Sequence, residues 1–223
     1  MSYVQLRIIG DVHAVRKYPQ RAAEYVRIAS RSQYSIQLGD LGYYYDFMTS
    51  LDPSRHFVIP GNHENYEQDS FGRFVHFTPH FKKDDFGVFT IPGLEPYFYV
   101  RGERSIDMDF RKEGETWWPA EELTYESGQR AVELYKAIKP RYVITHGCPK
   151  SVIRHVSALT ETVQGMPVAP SLTANLLDEL FSIHQPRMWY FGHYHTSKYF
   201  TERGTKFVAL GKLHYSEIFR KVY

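Results

Sequence analysis

The sequence predicts an α/β domain in which short strands run into polar loops. Three observations predict it. Apolar runs of strand length alternate with stretches of helical spacing. The runs break at Gly or Pro followed by Asp or His, and this break recurs five times. The 223 residues, 43% apolar and 23% charged, suffice for one such domain with a sizeable core.

Residues 4–9 read as a buried strand breaking at Gly10-Asp11. Residues 18–30 carry Ala22, Ala23, Val26 and Ala29 at helical spacing. Residues 35–38 and 56–59 read as strands that end in Gly39-Asp40 and in Pro60-Gly61-Asn62-His63. Between Phe71 and Trp118, aromatic and polar residues alternate around several glycines, and short strands are expected at 86–91 and 97–101. Residues 121–138 read as a helix whose leading Glu121 and Glu122 suit the positive end of its dipole. It stops at Lys139-Pro140.

Residues 141–145 form the next expected strand, before His146-Gly147. A helix over 171–184 takes Ser171 as its N-cap. Residues 188–191 are a strand before Gly192-His193, and the last strands are expected at 198–201 and 206–210, turning at Arg203-Gly204. With no repeat, low-complexity tract or linker, residues 1–223 are expected to form a single domain.

Composition narrows the function. A net charge of +2 without a Lys/Arg run gives no strong nucleic-acid signature. No apolar run approaches the roughly 20 residues that span a bilayer. A lone Cys148 excludes an internal disulfide and fits a reducing compartment, and residues 1–5 lack a signal-peptide pattern. A cytoplasmic location is expected. The 18 Tyr, 15 Phe and 3 Trp are assigned mainly to the core and half-buried strand faces.

Ligands bind α/β sheets at the carboxyl ends of strands, so the five loops are expected to converge. They carry Asp11 and His13, Asp40, Asn62 and His63, His146, and His193 with His195. Carboxylates can bridge two cations, and neutral imidazoles suit transition metals, so this set suits a pair of divalent ions. Each pair alone is weak: Gly39-Asp40 is also an ordinary turn, and Asp11-Val12-His13 an ordinary cap. The ordered set, each member directly after an apolar strand, points to metal binding.

In order, Gly10-Asp11-Val12-His13, Gly39-Asp40, Gly61-Asn62-His63-Glu64, Thr145-His146-Gly147 and Gly192-His193-Tyr194-His195 resemble the signature of calcineurin-like metallophosphoesterases, of the small bacterial and phage type. The resemblance implies a distorted β-sandwich flanked by helices in four αββα layers. It implies that Asp11, His13 and His195 hold one metal, that Asn62, His146 and His193 hold the other, and that Asp40 bridges them. Manganese is the expected metal, with iron, nickel or zinc as alternatives. His63 would stand over the phosphate and assist the leaving group. No Ser or Cys stands beside a base in the pattern, so direct attack by metal-bridging hydroxide is expected.

The family's phosphoprotein phosphatases carry G-D-x-x-D-R-G, whereas this chain has Gly39-Asp40-Leu41-Gly42-Tyr43-Tyr44-Tyr45. That weighs against a dedicated Ser/Thr phosphatase. A stretch from Val100 to Pro119 resembles one seen in bacterial and phage members. In it Arg104 or Arg111 is a candidate phosphate grip, and Tyr43, Tyr44 and Trp117 are candidates to stack on a base or aryl group. The competing reading is a strand and a helix start, with Trp117 and Trp118 as core.

The expected substrate is a small phosphodiester or phosphomonoester, nucleotides included. A protein phosphatase, a nuclease or an inactive metal-binding scaffold are the alternatives. Glu64 and Asn65 are expected to shape the loop after His63. His56, His76, His80, His155, His184 and His214 are expected to be surface or satisfied core histidines.

Overall fold

The computed structural model describes residues 2–156, 162–163, 166–167 and 171–222. The amino-terminal part runs β1 (Ser2–Ile9), α1 (Pro19–Ala29), β2 (Tyr34–Gln37), β3 (His56–Val58), β4 (Phe86–Phe89) and β5 (Tyr97–Val100). After it come α2 (Tyr125–Ile138), β6 (Tyr142–Thr145) and a small ribbon of β7 (Thr162–Val163) with β8 (Met166–Pro167). The chain ends in α3 (Leu172–Ile183), β9 (Met188–Phe191), β10 (Lys198–Glu202), β11 (Thr205–Ala209) and β12 (Tyr215–Val222).

One sheet has the order β12-β1-β2-β3, and the other β10-β11-β9-β6-β5-β4. In the first, β1, β2 and β3 are parallel. In the second, β5, β6, β9 and β11 are parallel, with β4 and β10 antiparallel at the edges.

Strand alternation sorts the apolar residues into layers. Val4, Leu6 and Ile8 of β1 meet Tyr97 and Tyr99 of β5, Ile144 of β6 and Tyr190 of β9 between the sheets. On the outer face of the first sheet, Ile9 packs with Tyr25 and Ile28 of α1. Beyond the second sheet, Phe98, Val143, Trp189 and Phe207 pack on Val132 and Tyr135 of α2 and Leu177 and Phe181 of α3. The result is the expected α/β architecture: two face-packed sheets with helices on both sides.

Several elements depart from expectation. The helix predicted from residue 121 begins at Tyr125, capped by the Thr124 hydroxyl, which accepts from Ser127 N at 3.2 Å. Glu121 instead closes a single 3-10 turn and is buried, so its carboxylate serves neighbouring donors rather than the dipole of α2. One unforeseen strand is β12, which pairs antiparallel with β1 from Ser2↔Val222 to Ile9↔Tyr215. The ribbon of β7 and β8 was not foreseen either, whereas the remaining strands and α-helices fall within a few residues of prediction. Ser171 caps α3 by accepting from Ala174 N at 3.0 Å, and Arg203 and Gly204 turn the hairpin with φ of 48° and 83°.

Candidate metal centre

Parallel strands aim their carboxyl ends at one edge of each sheet, and the loops from the two sheets meet there. Asp11 and His13 follow β1, Asp40 follows β2 and Asn62 follows β3. From the second sheet come His146 after β6, and His193 and His195 after β9. His13, Asp40, His193 and His195 all hold left-handed backbone, with φ of 50°, 56°, 66° and 53°. Non-glycine residues avoid that region, and strain of this kind collects at functional sites. Space is equally tight around them: a Cβ at Gly61 would sit 2.6 Å from Asp40 Oδ1, and one at Gly192 would collide with Asp11 Oδ1.

The side chains form two groups that share Asp40. In one, Asp11, His13, Asp40 and His195 offer ligand atoms within 4.8 Å of one another; in the other, Asp40, His146 and His193 do. His13 Nε2 and His195 Nε2 are 2.8 Å apart, and Asp11 Oδ2 lies 3.1 Å from His195 Nε2. Asp40 Oδ2 faces the first group, 3.5 Å from His13 Nε2, whereas Asp40 Oδ1 faces the second, 3.2 Å from His146 Nε2. Asn62 Oδ1 completes the second group at 2.9 Å from both His146 Nε2 and His193 Nδ1.

These atoms fit a pair of cations. Asp11 Oδ2 is buried and accepts no hydrogen bond, a costly arrangement unless a cation supplies the missing partner. His146 donates from Nδ1 to the Leu38 carbonyl at 2.7 Å, which leaves Nε2 facing the cluster, as ligand histidines are held. The set of imidazole nitrogens, carboxylates and one amide oxygen suits divalent transition metals.

Charge is concentrated here. Burial pushes the Asp40 carboxyl up, but His146, His63 and His13 around it outweigh that and hold it well below the usual carboxylate range. Burial likewise opposes protonation of His146, yet Asp40 wins and pushes it up to about 10. Burial, with His146 beside it, takes His193 down to about 3.

His63 lies at the margin of this cluster, its Nε2 3.9 Å from Asp40 Oδ2 and its ring 4.8 Å from that of His13. Arg111 Nη2 stands 2.5 Å from His63 Nε2 and 2.6 Å from Asp107 Oδ1. Burial lowers His63 to about 4, and Arg111 adds to the effect.

Other candidates sit differently. Tyr43 lies beside His63 but donates its hydroxyl to the Thr116 carbonyl at 2.8 Å. Trp117 donates from Nε1 to Glu121 at 2.8 Å. Tyr44 packs on Phe47 and under Arg16, and Arg104 pairs with Glu122 at 3.9 Å, so their contacts lie outside the cluster.

Glu64 does shape its loop: it accepts from Gly61 N at 2.6 Å and from Leu41 N at 2.5 Å, tying the loops after β2 and β3 together. Burial and the charge of Asp40 raise its pKa to about 8. His56 bonds the Ser35 hydroxyl and His80 the Leu51 carbonyl, both as satisfied core histidines. Sequence reasoning missed Ser105, which accepts from Asn62 Nδ2 at 3.0 Å. Its one signal was its place in the middle stretch.

The sequence profile of the calcineurin-like phosphoesterase family matches residues 5–197. No curated protein matches the chain. Among solved structures, a phosphopantetheinyl hydrolase from Mycobacterium tuberculosis aligns with a TM-score of 0.53 at 15% identity, over 93% of this chain and 89% of that one. A protein described as a putative 5'-nucleotidase from Staphylococcus aureus, in complex with alpha-ketoglutarate, aligns with a TM-score of 0.52 at 12% identity. That alignment takes in 98% of this chain, which spans about half (51%) of the other. At these identities the two likenesses speak for the fold.

Proposed function

The chain belongs to the calcineurin-like phosphoesterase family, and on that premise we propose that it is a two-metal phosphoesterase acting on a small phosphate ester. The observation that carries this reading is the division of Asp40, one oxygen turned to each histidine group. Asp11, His13 and His195 would hold one cation, Asn62, His146 and His193 the other, and Asp40 both. Manganese is the metal proposed for this mixed nitrogen and oxygen set, with which iron, nickel and zinc are also compatible. Such a pair supplies charge to polarise the phosphate and an activated water at neutral pH.

The chain's own groups do the rest. Asn62 and His63 donate backbone N–H to Asp40 Oδ1 at 2.9 and 2.8 Å, which fixes the shared carboxylate. His193 N holds Asp11 Oδ1 in the same way at 3.0 Å. His63 sits where a leaving oxygen can receive a proton, and a phosphate dianion facing it would restore the basicity that burial removes. Arg111 brings a permanent positive charge to the same spot. Tyr43 extends the rim beside His63.

The inner core shared by the sheets, together with a profile match over residues 5–197, supports reading residues 1–223 as one domain. A buried, free Cys148 supports a reducing, cytoplasmic setting, and among the described residues no helix is long and apolar enough to cross a membrane.

The test is hydrolysis of bis-p-nitrophenyl phosphate against p-nitrophenyl phosphate with added Mn²⁺, using Asp40→Asn as control. Metal-dependent turnover abolished by the substitution is expected. Faster diester turnover identifies a phosphodiesterase, and faster monoester turnover a phosphatase. Activity that survives both EDTA and Asp40→Asn would sink the reading.

A further inference from the structure

Asn62 poses a problem that the other donors do not. An amide has two ends of nearly equal shape, and only the oxygen can bind a cation. Turned over, the same side chain would present N–H groups to His146 and His193. Something must choose between the two orientations.

A buried chain of hydrogen bonds does so. Asn62 Nδ2 donates to Ser105 Oγ at 3.0 Å, and Ser105 Oγ donates to Glu121 Oε2 at 2.9 Å. Glu121 Oε1 accepts from Ser105 N at 2.7 Å and from Trp117 Nε1 at 2.8 Å. A hydroxyl is both donor and acceptor, so by itself it selects neither amide orientation. Burial raises Glu121 to about 7, and above that pH its carboxylate only accepts, so it claims the hydroxyl proton and leaves a lone pair towards Asn62. Asn62, Ser105 and Glu121 are each at most 2% exposed, so water does not compete for these bonds.

The backbone holds the chain in place. Gly102 N donates to the Pro60 carbonyl at 2.8 Å, fastening this segment to the Asn62 loop. At Gly102, with φ of 76°, an added Cβ would collide with the Glu121 carbonyl.

We propose that Ser105 and Glu121 are positioning residues that fix the Asn62 amide with its oxygen towards His146 and His193, with Trp117 steadying Glu121. This rests on the reading of Asn62 as a metal donor. It also assigns a task to the stretch from Ser105 through Trp117 to Glu121.

The experiment is calorimetric Mn²⁺ titration of the full chain as wild type, Ser105→Ala, Trp117→Phe, Asn62→Asp and the Asn62→Asp/Ser105→Ala double variant. Circular dichroism of each metal-free protein accompanies it. Wild type is expected to bind at two sites. Ser105→Ala should weaken one of them by roughly 10–100-fold and spare the other. Trp117→Phe should move the same site by a smaller factor. Aspartate at position 62 has two equivalent oxygens, so there Ser105→Ala should change affinity by less than about threefold.

Unchanged affinity in Ser105→Ala overturns the proposal alone, and so does an equal loss in the Asn62→Asp background, which marks a general structural role. If Ser105→Ala does not fold, normal binding by Trp117→Phe overturns it. A wild-type chain that binds no Mn²⁺ overturns both the two-metal reading and this one.

Discussion

His146 is where the charge of the cluster becomes measurable. Asp40 keeps a proton on it up to about pH 10 in the metal-free chain. A cation taken up at Nε2 must therefore displace that proton. Mn²⁺ binding at pH 7.5 should release protons, and affinity should climb with pH. Titrations in buffers of different ionisation enthalpy read the release directly, and identical heats in all of them would contradict it.

His63 gives a second residue-scale prediction. Burial, with Arg111 beside it, takes its pKa to about 4, so removing the guanidinium by Arg111→Leu should raise it. The NMR titration midpoint of His63 in metal-free protein should move upward, and a downward shift would refute the assignment. The candidate donors were legible as an ordered set, because each follows an apolar run directly, although none was decisive alone. Ser105 and Glu121 were not legible, since a lone polar residue in a loop looks the same whether it faces water or holds a buried amide.

Among the elements, α2 shows best what local sequence can and cannot settle. Its carboxyl end is closed by Lys139 in left-handed backbone with φ of 46°, a conformation that favours glycine. Lys139→Gly should stabilise the protein by about 0.5–1 kcal/mol, seen as a higher urea midpoint with unchanged slope. At the other end, Thr124→Ala removes the cap and should cost about 1 kcal/mol. The helix start was misplaced because Glu121 and Glu122 read as first-turn charges, and only burial reveals that Glu121 has other donors to serve. The strand β12 escaped notice because Tyr215 and Phe219 are exposed, which blurs the alternation of a half-buried strand. Its register is set by β1, a partner some two hundred positions away along the chain.

At the scale of the whole molecule, two conditions should tune stability. Cations that bind only the folded chain raise its stability by about 2.7 kcal/mol at one hundred times their Kd. The melting temperature should accordingly rise with Mn²⁺ and fall with EDTA. Acidity enters through Glu103, which is buried beside Gly147 and raised to about 7, chiefly by burial. The folded chain keeps a proton there that the unfolded chain loses near pH 4.5. This group therefore lowers stability as pH rises from about 4.5 to 7, by roughly 3 kcal/mol in all. Glu103→Gln should flatten that part of the profile and gain on the wild type at pH 8. Urea denaturation at pH 5 and pH 8 measures both slopes, and parallel profiles would rule the effect out.

Asp11, His13, Asp40 and Asn62 hang from one sheet, and His146, His193 and His195 from the other. A cation pair held by all of them would thus be a clasp across the seam of the sandwich. If the sheets part at that edge like the covers of a book, one ion would lose His195 from its four donors and the other would lose both His146 and His193. Chelator-driven release would then clock the opening of the seam, and a substitution deep between the sheets, far from any donor, would be felt first as a faster leak of metal.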